Sequence, residues 1–514
     1  MAETATAAEY FGVLMPQILL LIFALLCPAL DLWLKMRRGI AYWVIIGLTI
    51  VGVMEILALI PETQNLVPFL FWEQPPETSI FAVNAFSMVF TVVFVFVGAL
   101  VAFVSPDYIK RERNHGEYYA LLLIAVTGMS FVATAGDLIV IFLGLEIAGI
   151  SSYALTGFQK SVKRSTEAAM KYFIVGGFSS AISLFGMSLL YGAGGTTNLT
   201  ELGAMGAEYG PIVLLGIAML IIGLGFKIAA VPFHMWAPDV YEGAPTSITA
   251  LLAAASKKMG IAALFKIFIV ALLAYKAQWD LAIGIIAILT MTVGNLVAIQ
   301  QNSVKRMLAY SSIAQAGYIL IALPVWAVYD PSSPELVRIS EYAVAGGILH
   351  VITHAAMKSG AFFVILALTV RGFGENLKDF DGLSKRAPFL ALAMAIFVLS
   401  LAGIPPLAGF YSKFVLFSAA IFGSSEPGGA SWLVWLAIAG ILNSALSLFY
   451  YARIIKSMYI HNPQSQDRIK VPPLIQAAIV IAMIVTVFIG LYPEPFLEGA
   501  LEAARALNGL LPIG

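Results

Sequence analysis

From Phe11 onward the chain is a succession of long apolar runs separated by short polar breaks. A bilayer core about 30 Å thick needs about 20 apolar residues per helix. Read with that ruler, the sequence predicts fourteen membrane spans, over 11–34, 40–60, 80–104, 116–134, 137–158, 167–194, 211–231, 245–273, 280–299, 304–327, 341–370, 388–421, 432–458 and 474–492. Strands of a membrane barrel alternate apolar and polar residues over about 10 positions. These runs are continuous and longer, so the fold class is all-α and polytopic. After Pro493 the pattern changes: Leu497, Leu501, Ala504, Leu507 and Leu511 share one helical face with Glu498, Glu502 and Arg505 between them. This segment predicts an amphipathic helix lying on the outer surface.

Composition agrees with the pattern. Of 514 residues 60% are hydrophobic and 11% charged, against about 25% charged in soluble domains. The 29 basic and 29 acidic residues cancel, which removes any argument for nucleic acid as a partner. Their distribution carries more information than their sum. Nineteen basic residues fall on one side of the predicted spans: Lys35, Arg37, Arg38, Lys110, Arg111, Arg113, Lys160, Lys163, Arg164, Lys305, Arg306, Arg371, Lys378, Lys385, Arg386, Arg453, Lys456, Arg468 and Lys470. Only Lys276, Arg338 and Arg505 fall on the other. Cytoplasmic loops collect Lys and Arg, so both termini are expected on the outer side of a cell membrane. Residues 1–10 lack the basic stretch of a secretory signal, and the chain is read as mature. With Cys27 its single cysteine, it can build neither a disulfide nor an iron–sulfur cluster.

Seven lysines remain, in or beside the spans: Lys171, Lys227, Lys257, Lys258, Lys266, Lys358 and Lys413. Lys257 is central in the eighth span, too deep for its side chain to reach water, and Glu146 is equally central in the fifth. An unpaired charge at mid-depth costs roughly 2.5–3.5 kcal/mol on insertion scales, so such residues need a partner or a hydrated cavity. Lys171 and Lys266 lie nearer span ends, where snorkelling is expected. Lys258 points about 100° away from Lys257 and is given no role. A static ion pair that fixes helix packing is the structural alternative for Glu146 with Lys227 or Lys257.

The helices that carry these residues are interrupted. Lys227 lies in Gly223-Leu-Gly225-Phe-Lys227, shortly before Pro232 and His234; Lys413 follows Gly403-Ile-Pro405-Pro406-Leu-Ala-Gly409. Freed carbonyls inside a membrane persist where protein or water satisfies them, and Gly/Pro-broken spans at matching positions point to inverted repeats. The breaks fall in the seventh and twelfth spans, five apart. An odd repeat turns the second copy upside down. The expected organisation is a three-helix segment over 1–115, five-helix repeats over 116–273 and 274–460, and a last span with its surface helix over 461–514. In the eleventh span His350, His354 and Lys358 recur every four residues on one face. No third ligand accompanies the two histidines, so a proton-exchanging stripe is expected there rather than a metal.

Burial disfavours a charged lysine and a nearby carboxylate favours it. A glutamate that approaches and leaves Lys227 would make it alternately hold and release its proton, and a row of lysines would pass protons laterally. Nucleotide-binding glycine loops are absent, because Gly223 and Gly225 sit inside an apolar span and Gly192, Gly194 and Gly195 follow a helix rather than a strand.

These residues resemble the antiporter-like membrane subunits of the respiratory complex I group, most closely the subunit N (subunit 2) branch. The resemblance spans nearly the whole chain. Its most specific stretches run from Glu167 to Lys171 and on to Gly192, from Pro232 through His234, Trp236, Pro238, Asp239 and Glu242 to Thr246, from Val304 to Tyr318, and from Ser400 through Pro405 and Pro406 to Phe410. The resemblance implies a proton relay through Glu146, Lys227, Lys257 and Lys413; His234, His350, His354 and Lys358 are expected beside it as secondary members. It implies sister antiporter-like subunits as partners. It places no cofactor in this chain; quinone or methanophenazine, flavin and iron–sulfur clusters belong to partner subunits, and the electron donor is NADH, ferredoxin or a deazaflavin. His354 and Lys358 look more like the larger sister subunits, although the lateral helix that extends one of them is missing. A subunit of a multi-subunit cation/proton antiporter and a purely structural membrane subunit are the alternatives.

Overall fold

The structure, a computed structural model, describes residues 11–34, 37–67, 79–110, 112, 114–205, 210–463 and 468–511. Lys35, Arg111, Arg113 and the leader reading of residues 1–10 lie outside the described residues. Thirteen described helices are long and apolar enough to cross a membrane. The first five are Met15–Leu34, Arg37–Leu59, Ala85–Tyr108, His115–Thr134 and Leu138–Thr156. Their starts are written in the sequence: Asn84 and Ser87 form a reciprocal cap on the third span, and Asp137 accepts the Ile139 amide at the start of the fifth.

The spans are not equivalent in depth within the bundle. The eighth (Thr246–Ala271) is buried throughout, and the tenth (Val304–Trp326) and eleventh (Pro334–Val370) nearly so, whereas the first, sixth (Lys163–Gly194) and thirteenth (Ser431–Tyr459) present most of their surface outward. The eighth and eleventh spans carry Lys257, Lys258, Lys266, His350, His354 and Lys358, all of them buried. A polar group is tolerated in a bilayer where neighbouring helices surround it.

Two expected spans are divided. The seventh is the helix Gly210–Ile228, a break over residues 229–235 and the short helix Trp236–Gly243. The twelfth, expected as one run over 388–421, is two helices, Pro388–Ala402 and Ala408–Ser425, and neither is counted among the thirteen. Gly403, at φ 87°, ends the first of them in a conformation that suits glycine, and Pro405 and Pro406 have no amide hydrogen with which to continue it. Apolar character ran through the break, which is why hydropathy read it as one span.

The eighth span also departs from a plain helix. Wide π-helical turns over Leu252–Ser256 and Lys266–Ala271 flank the regular segment Lys257–Phe265. Close packing between the fourth and fifth spans depends on Gly128 and Gly144: a methyl group on Gly128 would lie 2.5 Å from the Ala148 nitrogen. The amphipathic helix after the last span is Glu494–Asn508. Its apolar face is covered by the third and eleventh spans rather than turned to lipid, with Leu501, Ala504 and Leu507 buried. Trp326 donates to Asn508 at 3.1 Å, and Arg505 pairs with Glu341 at 3.2 Å.

Candidate functional site: a buried chain of ionisable groups

Glu146 and Lys227 meet between the fifth and seventh spans. Lys227 Nζ lies 3.7 Å from Glu146 Oε1, close enough for a Coulombic pair but longer than a hydrogen bond. The lysine is 5% exposed and the carboxylate 23%. Ser180, from the sixth span, donates to Glu146, and Tyr153, two turns along the fifth span, places its hydroxyl 3.5 Å from Nζ. Gly260 of the eighth span lies against the stem of Lys227, where an added methyl would come within 3.2 Å of its Cβ.

Lys257 follows one turn before Gly260. Its amine is buried over the Tyr241 ring, 5.4 Å from the centroid, with no hydrogen-bond partner among the described residues. Lys258 is equally buried and equally without a partner. It points about 100° away from Lys257 and is interior all the same, because every face of the eighth span is buried. An aromatic stack connects the two lysine regions. Tyr153 meets Tyr172 edge-on at 4.6 Å, Tyr172 stacks on Trp236 at 4.6 Å, and Trp236 meets Tyr241 at 6.1 Å. Direct contact between Lys227 and Lys257 is absent among the described hydrogen bonds and ion pairs.

The eleventh-span stripe forms as spaced. His350, His354 and Lys358 are fully buried, and the histidine rings are 6.1 Å apart. His354 has neither ring nitrogen bonded among the described residues and lies within electrostatic reach of Lys257, Lys258 and Lys358. Lys358 donates to Ser311 at 2.8 Å, and Ser311 bonds Tyr451. His350 is held from both sides, by Ser412 at 2.9 Å on Nδ1 and by Gln315 Oε1 at 2.8 Å on Nε2. Because the Gln315 amide nitrogen donates to the Leu401 carbonyl at 3.0 Å, its oxygen faces the ring and makes Nε2 the protonated nitrogen.

That same carbonyl receives Lys413. Its Nζ donates to Leu401 O at 2.9 Å, Ala402 O at 3.3 Å and Ser444 Oγ at 2.9 Å, and sits 4.4 Å above the Tyr318 ring. The twelfth-span break therefore supplies the acceptors: carbonyls freed at the end of Pro388–Ala402 bind an ammonium instead of the next turn of helix. Lys413, Leu401 O, Gln315, His350 and Ser412 form one connected network. Gln315, Ser412 and Ser444 carried no signal beyond being polar within apolar spans, and sequence reading missed them.

Two further residues change their reading. Lys266 does not snorkel; it is fully buried, donating to the Ala135 carbonyl at 2.5 Å above the Phe86 ring. The acceptor is an interior carbonyl just past the end of the fourth span. Lys171 is exposed as expected, and is paired with Glu167 at 2.8 Å and Asp239 at 2.9 Å in a polar cleft of about 240 Å³ shared with Arg164, Glu242 and Arg306. His234, in the seventh-span break, is half-buried and within electrostatic reach of Lys257. Among the described residues no three His, Cys, Asp or Glu side chains gather as metal ligands.

Lys305 fastens the short seventh-span helix to the tenth span, donating to Glu242 O at 3.2 Å and Ala244 O at 3.1 Å and pairing with Glu375 at 3.2 Å. It is 3% exposed. Removing the ammonium leaves the Glu242 and Ala244 carbonyls without their donor, while the partly exposed Glu375 can turn to solvent. Lys305→Met is expected to destabilise the protein by roughly 2 kcal/mol, the worth of hydrogen bonds from a charged group, read as a lower melting temperature in detergent.

Comparison with known proteins agrees with this architecture. Residues 135–447 match the family described as NADH:quinone oxidoreductase/Mrp antiporter, TM. F(420)H(2) dehydrogenase subunit N of Methanosarcina mazei is 46% identical over 438 residues, covering 83% of this chain and 85% of its own. NADH-quinone oxidoreductase subunit N of Moorella thermoacetica is 38% identical over 506 residues, covering 98% and 97%. A chain of respiratory complex I from Thermus thermophilus superposes with a TM-score of 0.75 at 29% identity, over 94% of this chain and 99% of that one.

Proposed function

The chain belongs to the NADH:quinone oxidoreductase/Mrp antiporter membrane family, and from that premise we propose that it is the proton-translocating membrane-arm subunit of a complex I-type quinone oxidoreductase. It is a multi-pass membrane protein, and its partners are other membrane-arm subunits. The redox chemistry belongs to partner subunits holding flavin and iron–sulfur clusters, with a quinone-type acceptor. The names of the relatives support a hydride carrier, NADH or a reduced deazaflavin, as donor.

One observation carries this reading: Lys227, Lys257, Lys258, His354, His350 and Lys413 are all buried inside one helix bundle, with the partly buried Glu146 beside Lys227 at one end and the broken twelfth span around Lys413 at the other. Glu146 sets the charge state of Lys227. The amines of Lys257 and Lys258 and the His354 ring, which have no hydrogen-bond partner among the described residues, are the groups that exchange protons. His350 hands on to the Lys413 network, with Lys358 and His234 beside the route. Opposed five-helix repeats over 116–273 and 274–460 and outward-facing termini fit this scheme; the paired breaks support the first and the nineteen one-sided basic residues the second.

The test is purification of the tagged chain in mild detergent, followed by reconstitution. Expected are co-purification with sister membrane subunits and a redox arm, and proton uptake into vesicles that requires donor and quinone together. Purification as a lone carrier, or sodium-dependent proton flux without electron input, would overturn the reading.

A further inference from the structure

Lys227 Nζ has two polar neighbours among the described residues, Glu146 Oε1 at 3.7 Å and Tyr153 OH at 3.5 Å. Both come from the fifth span, and Gly149 lies between them in sequence, on the same helical face. A methyl group on Gly149 would lie 3.1 Å from Nζ and 3.3 Å from the Tyr153 hydroxyl. Glycine at 149 thus opens the space in which the amine moves between carboxylate and phenol.

The hydroxyl itself is held by packing. Its ring is edge-on to Tyr172 at 4.6 Å and to Phe173 at 6.0 Å. The hydroxyl presses against Gly176 of the sixth span, where an added methyl would stand 2.2 Å from it. The sixth span also holds Glu146 through Ser180. Two stations for a single amine are therefore built on one rigid helix pair.

We propose that Tyr153 is a positioning residue that gives Lys227 a second hydrogen-bond station, used when the ion pair with Glu146 opens. The two stations differ chemically. A carboxylate only accepts, so it holds the ammonium; a phenol both accepts and donates, so it holds the ammonium and also the neutral amine left after the proton has gone. Tyr153 keeps the amine aimed through both halves of a protonation cycle, without which the released amine would have no partner in an apolar wall. This inference rests on the relay reading of Glu146 and Lys227.

Tyr153→Phe keeps the ring, its volume and the stack on Tyr172, and removes only the hydroxyl. The assembled complex is expected to form, and its redox-driven proton uptake in vesicles to fall about three- to tenfold, the loss of one hydrogen bond of ordinary strength. Bonds to the charged form are the stronger ones, so the alkaline limb of the rate is expected to move to lower pH. Gly149→Ala, which pushes Nζ away from a hydroxyl still present, should move the limb in the same direction. Wild-type uptake in Tyr153→Phe would overturn the proposal, as would a slowed variant whose pH profile is unmoved, because a packing defect has no reason to change the profile. Lys227→Ala separates the two levels: if it too leaves uptake unchanged, the relay reading falls; if it abolishes uptake while Tyr153→Phe is silent, this inference alone falls.

Discussion

Lys227→Ala is expected to lower redox-driven proton uptake by about 100-fold, the lower end of what a positioned proton-transfer group contributes. The side chain is buried, lies 3.7 Å from Glu146 and is the cation nearest that carboxylate. Attraction at this distance is worth about 1 kcal/mol in water and several times more in a protein interior. Opening and closing the pair therefore changes the lysine's proton affinity substantially. Glu146→Gln keeps the shape and the Ser180 contact but abolishes the charge, and should give a loss of similar size. If uptake in vesicles is unchanged in both variants, the pair is a static link between the fifth and seventh spans.

Lys257→Met is expected to separate function from stability. The amine is 1% exposed and has no hydrogen-bond partner among the described residues, so its burial is destabilising. An apolar side chain of similar length removes that burden. The assembled complex should melt at the same temperature or higher, while proton uptake falls about 100-fold. Lys257→Arg should be inactive as well, because guanidinium does not give up its proton. A structural lysine predicts the reverse, namely loss of stability in the methionine variant with uptake retained in whatever complex assembles. Thermal unfolding and vesicle acidification on one preparation decide between them.

The contrast with Lys305 shows why burial alone does not identify a relay residue. Lys257, Lys266, Lys305 and Lys413 are all buried. Lys305 has two carbonyls and a carboxylate as partners, Lys266 a carbonyl, and Lys413 two carbonyls and a hydroxyl at a helix break that a histidine network also reaches. Lys257 and Lys258 have none among the described residues. Lys266 and Lys305, held by fixed acceptors alone, read as structural, whereas Lys257 and Lys258, without a partner among the described residues, and Lys413, whose carbonyl a histidine network shares, are the proposed exchange sites.

Much of this was legible without coordinates. Hydropathy alone located the spans, because a helix of a given length must match a bilayer of given thickness. Counting residues along a helix put Glu146 and Lys257 at the centre of their spans, and the four-residue spacing of His350, His354 and Lys358 put those three on one face. Glycine and proline marked both breaks. These are local properties, set by the period and rise of a helix. Only the tertiary structure decided what each buried charge touches. Lys266 turns inward to a carbonyl 131 positions away in sequence. Lys258 is interior because the eighth span is surrounded on all sides, and Gln315 joins His350 to the Leu401 carbonyl because the tenth, eleventh and twelfth spans converge there. Partners of this kind lie on different helices, and no periodicity along one helix records which neighbour its polar face will meet.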